Sequence, residues 1–187
     1  MARHLIRRLT RRLEPFVDEI TSHPWVAKYA PRLADPDLWH LNRRSTARAV
    51  AVGLFSGLIP GPFQVIGSVA LSIAVRANFP LAAITTLYTN PFTIVPLYIV
   101  AYEYGKLFVP GAGAGVPSPP PGFALSATYV GAVFAWMGDL GKPLAVGVLM
   151  LALTLALVGW TVVRVGWRCH AIWAWRRRAR LRAARAA

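Results

Sequence analysis

Few residues of this 187-residue chain have the types and spacing that catalysis requires. The histidines are scattered at His4, His23, His40 and His170, and Cys169 is the single cysteine. The sequence therefore has neither a nucleophile with a nearby base nor ligands at metal-binding spacing. No glycine-rich phosphate loop follows a strand pattern either. We expect no catalytic residue, no metal site, no cofactor and no enzyme activity that depends on the chain's own side chains.

Polar side chains inside long apolar runs are the other candidates for chemistry. Between Ala49 and Tyr102 the only charged residue is Arg76, and Glu103 follows directly. Ionisable groups near a membrane interior are functional candidates, and interrupted helices present free amides or carbonyls to a ligand. The expected substrate-binding residues are Gln64, Arg76, Asn78, Thr89, Asn90, Thr93 and Glu103.

These residue types together favour a small or lipid-linked anionic solute. Arg76 is expected to contact the anion and Glu103 to couple protons, while the amides and hydroxyls line the path. In the alternative interpretation Arg76 and Glu103 only extend to the membrane interface, and the amides pair with backbone groups that the helix breaks leave free.

The first uncharged run, from Ala49 to Val75, is interrupted near its centre by Pro60, Gly61 and Pro62. Each proline removes an amide donor and collides with the preceding turn, at roughly 3 kcal/mol in a helix interior. The two arms of about 12 residues are each about 18 Å long, too short to cross a hydrocarbon core of about 30 Å. We expect a re-entrant helical hairpin over 49–75 with both ends in the cytoplasm. A proline-kinked single span is the alternative.

The second run, residues 77–105, repeats this design. Asn78 followed by Pro80 is a helix-start signal, and the residue before Pro91 is disfavoured in a helix, so Asn90 and Pro91 mark a break. The preferred topology has this broken helix crossing the membrane and 143–163 returning. A second hairpin over 77–105, with 123–138 and 144–163 as the crossing helices, agrees equally well with the sequence.

The expected fold class is all-α: a small polytopic helical membrane protein with broken and re-entrant helices. Its membrane domain is expected to cover 43–168. Besides the two broken runs, this domain contains a proline-rich loop over 106–122 and helices over 123–138 and 143–163.

Composition and charge placement agree with a membrane location. The chain is 56% hydrophobic and 15% charged, with a formal net charge of +14. Ten of its 21 Lys and Arg residues lie in 1–48 and eight more from Arg164 onward. The positive-inside rule then predicts two cytoplasmic termini and an even number of crossings.

Both basic ends are expected to meet anionic lipid headgroups rather than nucleic acid. Residues 1–42 are predicted to be a basic amphipathic region in the cytosol, and 169–187 a basic cytosolic tail.

Three segments resemble a known family when taken in order: RRSTARAVAVGLFSGLIPGPFQ, VRANFPLAAITTLYTNPFTIVPLY and YEYG. They are similar to the bacterial domain-of-unknown-function family 2062, over about Trp39 to Arg164. The resemblance implies a small multi-pass protein of the bacterial cytoplasmic (inner) membrane, sometimes fused in relatives to glycosyltransferase-like domains. It implies no established activity.

Two functions therefore remain open. The first is binding or translocation of the anionic solute, and the second is a non-catalytic scaffold or anchor for a glycosyltransferase or lipid-modifying enzyme. Because so few crossings leave a monomer cramped for a pore, we also expect a homo-oligomer.

Overall fold

A computed structural model describes residues 35–61, 63–110, 115–120 and 127–186, with side chains as far as residue 178. These ranges contain helices and no strand. The helices are α1 Pro36–Trp39, α2 Arg43–Ser56, α3 Phe63–Val75, α4 Phe79–Thr86, α5 Ile94–Lys106 and α6 Ala127–Ala186. Residues 1–34 of the amphipathic region predicted over 1–42 lie outside the described residues, as do Pro62, the loop positions 111–114 and 121–126, and Ala187.

Helices α2 and α3 form a hairpin. Asn42 starts α2 with a capping box. The Asn42 side chain accepts from the backbone amides of Arg44 and Ser45, and the Ser45 hydroxyl accepts from the backbone amide of Asn42 at 3.2 Å. The two helices pack together, and Arg48 near the start of α2 donates to the Val75 carbonyl at the end of α3, at 3.0 Å. The chain therefore returns to the level at which it started. A single kinked span over 49–75 is not what the structure contains.

Helices α4 and α5 do not form such a hairpin. They run in sequence away from the end of the molecule where α2 starts and α3 ends. The Asn78 amide lies 3.4 Å from the Ser45 carbonyl, so α4 starts beside the start of α2 and packs along it. The predicted cap is confirmed, because Asn78 accepts from the Leu81 amide at 3.0 Å with Pro80 in the first turn. After a break at 87–93, α5 packs against α6 rather than back along α4.

Helix α6 consists of two arms that meet at Gly141, whose φ of 57° and ψ of −141° are not helical. The second arm runs antiparallel to α5, and the two helices cross at Gly105 and Gly147. A β-carbon on either glycine would overlap the backbone of the other helix, so this close crossing requires both. Further along, Gly159 lies against Leu54 of α2. The second arm thus passes from the end of α5 to the level of α2.

The faces of α3 are reversed relative to those of a helix that faces water. Its buried residues are Ser68 and Ser72, whereas Phe63 and Ile66 are each 62% exposed. Large exposed apolar side chains continue along α6, where Leu157 is 65% exposed. Among the described residues one helix, over Thr128–Arg178, is long and apolar enough to cross a bilayer. A surface of this kind is typical of contact with lipid.

Candidate functional site at the two helix breaks

The first break follows α2. Gly57 ends the helix, Ile59 donates to the Ser56 carbonyl at 3.0 Å, and Gly61 turns the chain with a φ of 68° before α3 begins. A positive φ is strained for residues other than glycine, which explains Gly61 between the two prolines. The break predicted at Pro60 and Gly61 therefore falls between α2 and α3.

The second break separates α4 from α5 and is organised by Asn90. Its side-chain oxygen accepts from the amides of Phe92 and Thr93 at 2.9 and 3.1 Å. The Thr93 hydroxyl donates to the Tyr88 carbonyl at 2.7 Å. Because these side chains replace lost helical partners, the turn at Pro91 is ordered without regular secondary structure.

Hydroxyl groups of the second break and of α5 contact the carbonyls at the end of α2. Tyr88 donates to the Leu54 carbonyl at 2.7 Å, and Tyr98 donates to the Leu58 carbonyl at 3.0 Å. Thr89 contacts the carbonyl of Gly57 between them. We call Tyr88, Thr89 and Tyr98 the hydroxyl clasp. A helix end buried without such partners costs several kcal/mol in an apolar environment, so the clasp is what makes the first break tolerable there.

A cavity of about 270 Å³ lies where the breaks meet the first arm of α6. Its polar groups are the side chains of Gln64, Thr89 and Asn90 from the breaks, together with Tyr129 of the arm. Its other walls are apolar. The apolar lining is Ile59, Gly61, Pro91, Ile94, Val130, Val133, Phe134 and Met137.

Comparison with known proteins identifies the family. A family profile described as "Uncharacterized protein conserved in bacteria (DUF2062)" matches residues 27–176, which is 150 of the 187 positions. The chain belongs to DUF2062. The match extends about twelve residues beyond the expected range at each end. No curated protein and no solved structure matches the chain.

The DUF2062 fold brings together part of the predicted binding set. Gln64, Thr89 and Asn90 line one cavity, with Gly61 and Pro91 beside them. Thr93 does not line it, but orders the turn that carries Asn90. The two helix breaks thus meet at one cavity in this structure.

Arg76 and Asn78 lie at the opposite end of the hairpin, so the expectation that they line the same path needs correction. Helix α3 separates Gln64 from Arg76 by roughly 18 Å along its axis. Arg76 has a positive φ of 53° and pairs with Asp35 at 3.2 Å, with 70% of its side chain exposed. Asn78 is 2% exposed and caps α4. The sequence pattern placed both residues between the two apolar runs but did not show how far that position lies from the breaks.

Glu103 also lies away from the cavity. Its carboxylate pairs with Lys106 at 3.0 Å near the end of α5, and half of its side chain is exposed. An i,i+3 ion pair on a helix surface contributes little to stability and presents no isolated acid for proton transfer. The geometry of this DUF2062 chain therefore does not support the predicted coupling role.

Several residues of the site were not predicted from the sequence. Tyr88 and Tyr98 each bond to a carbonyl at least 34 positions earlier, and Val133 and Met137 come from the first arm of α6. Tyrosines beside a predicted helix break were a usable signal, since a buried tyrosine hydroxyl usually finds a partner. Nothing in the sequence of the first arm indicated that it covers the breaks.

The part of the chain that the structure describes contains no group of three or more His, Cys, Asp or Glu side chains able to hold a metal ion. Cys169 is exposed on α6. The chemistry that this cavity offers is hydrogen bonding at one end and apolar contact elsewhere.

Proposed function

We propose that this protein is a multi-pass protein of the bacterial cytoplasmic membrane that binds a lipid-linked anionic solute and holds its hydrocarbon chain where the two helix breaks meet. The exposed apolar faces of α3 and α6 support the membrane location. Between Lys142 and Arg164, α6 has 21 uncharged residues, about 32 Å of helix, which matches a hydrocarbon core of about 30 Å.

The charges support the orientation. Arg43, Arg44, Arg48 and Arg76 lie at the starting level of the hairpin, and α6 reaches that level at about Arg164. Lys106 and Lys142 belong to the other end, near the crossing of Gly105 with Pro143. The positive-inside rule assigns the first, more basic end to the cytoplasm. The hairpin of α2 and α3 is then re-entrant, α4 and α5 together cross once, and α6 returns.

In this orientation the breaks lie near mid-membrane. Leu58 belongs to the same buried cluster as Ala152, which lies about halfway between Lys142 and Arg164 on α6. Irregular backbone at this depth is tolerated only where protein or a water-containing cavity shelters it. The hydroxyl clasp and the first arm of α6 supply that shelter.

The observation that carries the proposal is the cavity itself. Its walls are mostly apolar and its polar side chains are few. Val130 and Phe134 on its α6 side are half exposed, which gives an alkyl chain lateral access. The basic level lies roughly 18 Å away along α3, within reach of an extended lipid chain. An anionic headgroup at the level of Arg43, Arg44 and Arg48, with its chain in the cavity, accounts for both the apolar walls and the basic residues at the start of the hairpin.

Photolabelling tests this proposal. The purified protein in lipid nanodiscs is exposed to an anionic phospholipid with a diazirine near the end of its acyl chain, and the labelled peptides are mapped by mass spectrometry. We expect labels on residues of the α6 first arm and the breaks. Val133→Trp fills the cavity and should remove most of this labelling, because Val133 is 5% exposed and lines the cavity.

Val162→Trp is the matched control, since Val162 is 62% exposed on the second arm of α6. It should leave labelling of the cavity peptides unchanged. Equal labelling of those peptides in wild type and Val133→Trp would reject the cavity as the binding site.

A scaffold function has its own supporting observation. Beyond Arg164, α6 continues for 22 residues to Ala186, about 33 Å of helix, and its Trp173 and Trp175 are 59% and 67% exposed. Such aromatic groups are suited to docking a glycosyltransferase or lipid-modifying enzyme. Loss of a cellular phenotype on truncation after Arg164, with Val133→Trp fully active, would favour the scaffold.

A further inference from the structure

Four oxygen atoms converge where α2 and α4 end. The Thr89 hydroxyl oxygen lies 2.9 Å from the Thr86 carbonyl oxygen and 3.1 Å from the Gln64 side-chain oxygen, and it contacts the Gly57 carbonyl. Thr89 is 7% exposed, and Gly57 and Thr86 are buried. We call these four atoms the oxygen cluster.

The oxygen cluster has more acceptors than hydrogens. A threonine hydroxyl has one hydrogen, which can be donated to one of the three neighbouring oxygens at a time. The Thr86 carbonyl also receives the Thr89 amide at 3.2 Å. The Gly57 carbonyl and the Gln64 oxygen are left to share a single hydroxyl hydrogen. The neighbouring carbonyls of Leu54 and Leu58 differ, because each has its own tyrosine donor.

The electrostatic surroundings of the cluster favour a positive charge. Gly57 ends α2 and Thr86 ends α4, so two helix C-termini with partial negative charge meet at one place. The described residues that line the adjacent cavity include no Lys or Arg side chain. In a low dielectric this negative potential is weakly screened.

We propose that the oxygen cluster binds a dehydrated monovalent cation, with sodium as the physiological candidate. Unwound carbonyls and half-helix C-termini are the groups that coordinate sodium in discontinuous membrane helices. A divalent ion is disfavoured, since calcium and magnesium sites use carboxylates and the four cluster atoms include none. The cavity beside Gln64 and Thr89 provides the entry path and room for water to complete the coordination.

A rotated Gln64 amide is the competing explanation. Turning the amide by 180° about its last bond would direct its NH₂ group at Thr89, and the cluster would then satisfy its own acceptors. In that arrangement the site has no place for a cation. The two explanations differ in whether sodium stabilises the protein.

The test uses the full-length protein in nanodiscs without added lipid-linked solute, so its result is independent of the proposed function. The midpoint of thermal unfolding is measured in sodium chloride and in choline chloride at equal ionic strength. We expect the midpoint of thermal unfolding to rise to a plateau with increasing sodium chloride and not with choline chloride. Identical midpoints in the two salts across the whole concentration range would overturn the proposal.

Variants of Thr89 assign the effect to the cluster. Thr89→Val removes the hydroxyl at constant shape and should raise the half-saturating sodium concentration by about tenfold or more. Thr89→Ser should keep it within about threefold of wild type. Thr154→Val is the control, because its hydroxyl lies on an exposed face of α6. A sodium response in Thr89→Val equal to that of wild type would contradict the assignment.

A second measurement does not depend on the stability of Thr89→Val. Binding of radioactive sodium to Gln64→Glu is compared with wild type by scintillation proximity. The added carboxylate should lower the half-saturating sodium concentration several-fold, since it places a negatively charged ligand beside the sodium ion. Unchanged or weaker sodium binding in Gln64→Glu would count against a cation at this position.

Discussion

Tyr98 of α5 donates its hydroxyl hydrogen to the carbonyl of Leu58, 40 positions earlier, at 3.0 Å, and both residues are almost fully buried. This bond connects the hairpin of α2 and α3 to helix α5. It also satisfies a carbonyl that Pro62, four positions later, cannot pair with through a helical amide.

Tyr98→Phe is predicted to destabilise the protein, because it leaves the Leu58 carbonyl buried without its donor. We expect the free energy of unfolding to fall by about 1–2 kcal/mol, measured by denaturant titration in detergent micelles. Tyr104→Phe is the control, since the Tyr104 hydroxyl faces Thr154 at 3.3 Å on an exposed surface. Equal losses in the two variants would show that burial of the Leu58 carbonyl is not decisive.

Gly147→Ala is predicted to disturb the crossing of α5 and α6. The added β-carbon would overlap the Ala101 carbonyl, so the helices must separate, at about 1–3 kcal/mol or more. Gly166→Ala on the same helix has open space around it and should be neutral or stabilising by up to about 1 kcal/mol. Thermal unfolding and monodispersity of the purified variants measure the difference. A neutral Gly147→Ala would contradict the close crossing.

Asn78→Ala is predicted to weaken the start of α4 rather than solute binding. Loss of the cap on the Leu81 amide should lower the free energy of unfolding by about 0.5–2 kcal/mol, whereas Asn78→Ser retains most of the capping. Photolabelling of the cavity per folded molecule should be unchanged in both variants. Loss of cavity labelling in Asn78→Ala without loss of stability would show that Asn78 contributes to solute binding.

The proposed orientation predicts which cysteines an impermeant maleimide reaches in intact cells. Cys169 lies on α6 beyond Arg164 and should react only after the membrane is opened. A Ser118→Cys substitution in a variant with Cys169 replaced by serine should react from outside, because Ser118 is exposed in the connector between α5 and α6. Reaction of both positions from one side would contradict an odd number of crossings between them.

The positions of the helix breaks could be read from local chemistry. Proline and glycine at Pro60, Gly61 and Pro91 act on their own turn of helix, and Asn78 caps the helix that begins beside it, so neighbouring residues suffice to predict them. The all-helical class followed in the same way from long apolar runs. These features need no knowledge of which helices pack together.

The tertiary contacts of the candidate residues could not be predicted from their sequence neighbours. Asp35 neutralises Arg76 from 41 positions away, and Lys106 pairs with Glu103, so neither candidate charge is available to the cavity in the manner expected. The tyrosines of the hydroxyl clasp and the first arm of α6 reach the breaks through tertiary packing. Residue type and spacing identified Gly61, Gln64, Thr89, Asn90 and Pro91 of the cavity lining, and tertiary packing decided the rest.

The second arm of α6 continues without a break from Lys142 to Ala186, although it passes the crossing with α5 at Gly147, the contact with α2 at Gly159 and the level at which the hairpin starts. An unbroken helix moves as one rigid body, so a tilt at one point displaces its far end. Its 27 residues beyond Gly159 extend about 40 Å, so a tilt of roughly 5° at that contact would displace its free end by roughly 3.5 Å. A small change in the packing of this arm against α2 and α5 would therefore be amplified into a larger displacement of the C-terminal end of α6.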